Sequence, residues 1–161
     1  MEVLWDQHHE TMPVPYPDQK EDGSPCCGYL DLRDNPVEAK KIGKGEGGPA
    51  FADLLESIAR NPRWMSIGCA IIADADCGYL QFASRRYASA TLETYQTFCH
   101  QITDQLAPVG IEEIRFMLAP CRFDIDDEFM GEEANSVIVY WYSPDNRKLY
   151  RAAQKLEQLF R

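Results

Sequence analysis

The chain has 161 residues, 45% of them apolar and 26% charged, with a formal net charge of −10. These values suit a single globular domain with a proper core and exclude a disordered tail. They also exclude a general binder of double-stranded nucleic acid, which needs a cationic face, and a bilayer span, which needs ~20 apolar residues in a row.

Residues 1–48 read as an irregular arm. PVPYP, DGSPCCG and GKGEGG punctuate it with proline and glycine, which block long helices and central strands. A short extended piece is expected at Gly28–Leu32, and Trp5, Tyr16 and Tyr29 give the arm side chains to pack with. MEVLWDQHHE has neither the basic start nor the apolar stretch of a signal peptide, so the expected location is cytoplasmic.

Residues 49–161 read as one α+β domain. Pro49 opens a helix whose Phe51, Leu54, Leu55 and Ile58 share one face, and Asn61-Pro62 ends it. WMSIGCAIIA is the first strand, Asp74–Gly78 a turn, and YLQFASRRYA the returning strand of a hairpin. Ser89 is placed to cap a second helix with a stripe of Leu92, Tyr95, Cys99, Ile102 and Leu106, closed by Pro108 and Gly110. IEEIRFMLAP is the third strand and SVIVYWY the fourth. Ser143, Pro144 and Asp145 read as N-cap, N1 and N2 of a last helix with a core face of Leu149, Ala152, Ala153, Leu156, Leu159 and Phe160. The order αββαββα implies a four-stranded, mainly antiparallel sheet with helices packed on one face. Ferredoxin-like βαββαβ is the competing order.

The six cysteines form no CxxC pair and have no zinc spacing with a histidine. Cys26 and Cys27 are adjacent, and Cys69, Cys77, Cys99 and Cys121 sit in apolar segments. They read as reduced thiols behaving as small hydrophobes.

Charge is unevenly distributed. Over residues 121–143 six acidic residues (Asp124, Asp126, Asp127, Glu128, Glu132, Glu133) face Arg122 alone, a balance of −5. Over residues 144–161 five cations (Arg147, Lys148, Arg151, Lys155, Arg161) face Asp145 and Glu157, a balance of +3. The expected default is that the basic helix pairs in part with the acidic stretch. That stretch departs from a calcium loop, with Phe129 where the sixth-position glycine belongs and Asn135 where the twelfth-position glutamate belongs. Alternation on the fourth strand sends Tyr140 and Tyr142 to one face and Trp141 to the other.

No motif names a reaction. GKGEGG lacks the preceding strand and the GK[ST] ending of a phosphate-binding loop, and Cys99 and His100, as helix neighbours, point about 100° apart. Arg85-Arg86-Tyr87, at the end of the second strand, reads first as a solvated strand end and second as an anion grip. The first expectation is therefore a non-enzymatic binding module of the inhibitor or immunity-protein kind, with no cofactor. It docks a basic protein partner through acidic loop 121–133 and the aromatics Tyr140, Trp141 and Tyr142. The second is a metal-dependent phosphoryl-transfer or hydrolytic enzyme. Asp74 and Asp76, at i and i+2 after an apolar strand, would hold Mg²⁺ in it. The third is an adaptor or subunit of a larger assembly, self-association included, with the 1–48 arm as its contact.

Overall fold

The computed structural model describes residues 1–15, 36–39, 48–124 and 133–161. The elements are β1 (Glu2–Gln7), β2 (Met12–Pro15), α1 (Gly48–Arg60), β3 (Trp64–Ile72), β4 (Cys77–Ser84), α2 (Leu92–Leu106), β5 (Glu113–Asp124), β6 (Glu133–Tyr142) and α3 (Asn146–Phe160). From α1 onward the order is the αββαββα read from the sequence, and the class is α+β.

The sheet is larger than the expected four strands, and it is mixed. Its order is β1-β5-β6-β4-β3, with β2 continuing the β1 position along β5. β3, β4, β6 and β5 pair antiparallel, while β1 and β2 run parallel to β5. The irregular-arm reading of residues 1–48 placed no strand at its start. The pairing is hard to see in sequence because a parallel edge strand has no hairpin turn to announce it: Leu4 lies across from Arg115. Pro13 and Pro15 are tolerated in β2 because it lies at an edge. The extended piece expected at Gly28–Leu32 lies outside the described residues.

The three helices contribute to one core on one face of the sheet. Phe51, Leu54 and Ile58 of α1, Tyr95, Phe98, Cys99, Ile102 and Leu106 of α2, and Leu149, Ala152, Ala153, Leu156 and Phe160 of α3 join it. They meet Trp64, Leu80, Phe82, Ile114, Phe116, Val137, Val139 and Trp141 from the strands. α3 packs against both α1 and α2. On the other face, Met65, Ile67, Ala83, Cys121 and Ala134 form a second buried cluster near the β5–β6 turn. Among the described residues no helix is long and apolar enough to cross a membrane.

Two helix starts differ from expectation. Thr91, not Ser89, caps α2, its hydroxyl accepting from the Thr94 N–H at 3.3 Å. Ser89 instead ends a 3-10 turn at Tyr87–Ser89. Asp145, not Ser143, caps α3, its carboxylate accepting from the Arg147 N–H at 3.0 Å, while Ser143 Oγ accepts from the Asp145 N–H at 3.2 Å.

Candidate functional site

Strand alternation decides which aromatics reach solvent. Trp141 points into the helix layer and is fully buried. Its indole N–H donates to the Leu149 carbonyl at 3.2 Å and its ring stacks on Phe51 at 6.2 Å. It therefore belongs to the core and is not presented to a partner. Tyr140 and Tyr142 point to the opposite face and are half-buried.

There they join a cluster. Register sets Tyr140 between Tyr79 of β4 and Arg115 of β5, and Tyr142 between Cys77 and Glu113. The Tyr79 and Tyr140 rings lie 5.9 Å apart and those of Tyr140 and Tyr142 6.4 Å apart. The Arg115 guanidinium lies 6.0 Å from the Tyr142 ring and donates to Glu113 at 3.2 Å. Arg115 Nε is shielded from solvent and, among the described residues, has no hydrogen-bond partner. Desolvation raises both tyrosine pKa values, and the charge of Cys77 pushes the same way. Both are neutral hydrogen-bonding phenols at physiological pH. Tyr79, Arg115 and Glu113 were absent from the sequence expectation because only the β4–β6–β5 register brings them beside Tyr140 and Tyr142.

The acidic stretch lies elsewhere. Arg122 pairs with Glu133 at 2.8 Å where β5 leaves and β6 returns, and both groups are substantially exposed. Glu133 stands nine residues before Tyr142 on one strand, which at ~3.4 Å per residue separates them by about 30 Å. Glu133 and Tyr142 are thus at opposite ends of β6. Asp124 ends β5, and Asp126, Asp127, Glu128 and Glu132 lie outside the described residues. Of the cations in and just after α3, Arg147 bonds Asp145, Lys148 bonds the Gly110 carbonyl at 2.9 Å, and Arg161 bonds Glu157 at 2.6 Å.

Asp74 and Asp76 are exposed in the β3–β4 connection, a 3-10 turn at Ala73–Ala75 closed by Asp76 at φ 49°. Aspartate tolerates that left-handed geometry, which suits a turn. Among the described residues no group of three or more His, Cys, Asp or Glu side chains is placed to hold a metal ion. Arg85 is not an anion grip. Its guanidinium donates to the Ala59, Asn61 and Trp64 carbonyls at 2.5–3.0 Å and so closes the C-terminal end of α1.

Burial pushes the thiols of Cys69 and Cys99 up to about 12 and Cys121 to about 11, far from thiolate nucleophiles at neutral pH. With Cys77 these are free cysteines, while Cys26 and Cys27 lie outside the described residues. Two clefts near the start of α2, about 280 and 450 Å³, share Arg63 and Thr94, and their ionisable residues Arg63, Arg86 and Glu93 are exposed. Compared with family models, curated proteins and solved structures, the chain matches none.

Proposed function

We propose that this chain is an acidic protein-binding module, of the inhibitor or immunity kind, that docks a basic protein partner. The observation that carries the reading is the half-buried patch of Tyr79, Tyr140 and Tyr142 beside Glu113, in a chain of net charge −10. Tyrosines of this kind supply contact area at low entropic cost and keep a hydroxyl for hydrogen bonding. A net charge of the opposite sign to the partner's supplies attraction at a distance.

The two ends of the hairpin then divide the work. Asp124, Asp126, Asp127, Glu128, Glu132 and Glu133 steer the partner, because their field acts over a Debye length of ~8–10 Å and needs no contact. Tyr140 and Tyr142 anchor it, and the exposed Glu112, whose N–H donates to the Tyr142 carbonyl, is the short-range charge partner beside the Arg115–Glu113 pair.

The experiment is capture of a partner by the tagged chain from its native host, identified by mass spectrometry at low and high salt, followed by stopped-flow kinetics. Replacing Asp124, Asp126 and Asp127 together with Asn is expected to slow association. Replacing Tyr140 and Tyr142 with Ala is expected to speed dissociation while leaving the association rate near its original value. An association rate untouched by the first change, with a dissociation rate untouched by the second, contradicts the reading.

A further inference from the structure

The edge position at β1 is exposed along nearly its whole length. Five of its six residues are exposed, including Val3 at 36% and Trp5 at 46%, and Leu4 is half-buried. The Glu2 N–H donates to the Glu112 carbonyl and the His8 N–H to the Leu118 carbonyl, so even-numbered residues bond β5. In a parallel ladder the odd-numbered Val3, Trp5 and Gln7 then turn their backbone groups outward.

Parts of this edge are already closed. The Gln7 N–H donates to its neighbour Asp6 Oδ1 at 2.8 Å. Further along the same edge Pro13 and Pro15 have no N–H to offer. Among the described residues, the open stretch is Val3–Trp5. On the helix side it shows Val3 and Trp5, whose ring lies against Phe116 at 4.8 Å. On the other side it shows Leu4 flanked by exposed Glu2 and Asp6, in rows that continue through Glu113 to Tyr142 and through Arg115 to Tyr140.

We propose that the Val3–Trp5 edge receives an extended segment of a partner protein, alternating apolar and cationic residues, as an added strand of the sheet. The proposal rests on the reading that the partner is basic, and it names the element that partner would contribute. Apolar side chains of the segment meet Val3 and Trp5, and its lysines or arginines meet Glu2 and Asp6. A basic segment complements the charge of this edge, whereas antiparallel self-pairing centred on Leu4 sets Glu2 against Asp6 of the other copy at both ends. Like charges directly opposite destabilise such a pair.

The test uses the full chain and a short peptide of alternating lysine and valine. Trp5 is the exposed tryptophan, since Trp64 and Trp141 are 2% and 0% exposed, so acrylamide quenching reports on this edge. The peptide is expected to shield Trp5 and to slow hydrogen exchange at the Val3 and Trp5 amides. Val3→Pro removes an outward donor without touching the β1–β5 ladder. It should weaken peptide binding by about tenfold while leaving circular dichroism and Tm unchanged.

Peptide binding that survives Val3→Pro overturns strand addition and leaves the basic-partner reading standing. Absence of peptide binding, or self-association by sedimentation velocity that Val3→Pro abolishes, also overturns the proposal. Equal, salt-independent binding of a glutamate–valine peptide that Val3→Pro abolishes supports the edge and sinks the basic-partner reading.

Discussion

Gly78 and Tyr95 show how single residues set this fold. Gly78 lies across from Trp141, and a Cβ added there would collide with the indole ring. Gly78→Ala is therefore expected to destabilise the protein by about 3 kcal/mol through overpacking, measured by urea unfolding. Tyr95 ties α2 to two strands. Its hydroxyl accepts from the Ser84 N–H at 3.0 Å and donates to the Asn135 carbonyl at 2.6 Å. Tyr95→Phe keeps the ring and orphans both backbone groups, so a loss of about 2 kcal/mol is expected by the same assay. The sequence placed Tyr95 on the apolar stripe of its helix, yet nothing local marked its hydroxyl as a bridge. Trp141 carries the same lesson. Alternation put it on the face opposite Tyr140 and Tyr142, but only packing against Phe51 and Leu149 shows that its face is the core.

Among the elements, α1, β3, β4, α2, β5, β6 and α3 were legible because each carries its own periodicity and its own stops, such as Asn61-Pro62 and the run SVIVYWY. β1 was not, because its partner β5 is remote in sequence and its alternation spans only Val3 and Trp5 on the core side. Helix ends were legible to within a residue or two. Thr91 displaced Ser89 as the cap of α2 because Tyr87–Ser89 forms its own turn. Arg85 was read as a solvated or anion-gripping cation, and instead it spans the α1–β3 junction through three carbonyls. Arg85→Met keeps much of the apolar stem and removes those bonds. It is expected to cost about 2 kcal/mol and to raise hydrogen exchange in the last turn of α1. Unchanged protection there would show that the junction does not depend on Arg85.

At the scale of the whole molecule, burial couples stability to alkaline pH. Burial raises the pKa of Cys69, Cys77, Cys99 and Cys121 above the ordinary thiol value of 9.0 and of Tyr95, Tyr140 and Tyr142 above the phenol value of 10.0. Folded values are raised, so the folded chain holds protons that the unfolded chain releases. Stability is full below pH 9.0 and falls as pH rises towards about 12. Urea midpoints are expected to decline steadily above pH 9.0, and a flat profile would contradict the burial of these groups.

The charge layout was legible in the sequence, whereas its geometry was not. Linear order sets loop 121–133 close to Tyr140, but an antiparallel hairpin carries β6 away from its turn, so Tyr142 ends up beside Glu113 and not beside Glu133. Tyr140 and Tyr142 thus lie toward one end of β6 and Glu133 at the other, and the proposed docking divides anchoring from steering accordingly. The most direct measurement of this account is the association rate of the captured partner as a function of salt, for the native chain and for the Asp124, Asp126 and Asp127 to Asn variant. The native rate is expected to fall as salt rises, and the variant to start slower with a shallower slope. Rates that coincide at every salt concentration would contradict it.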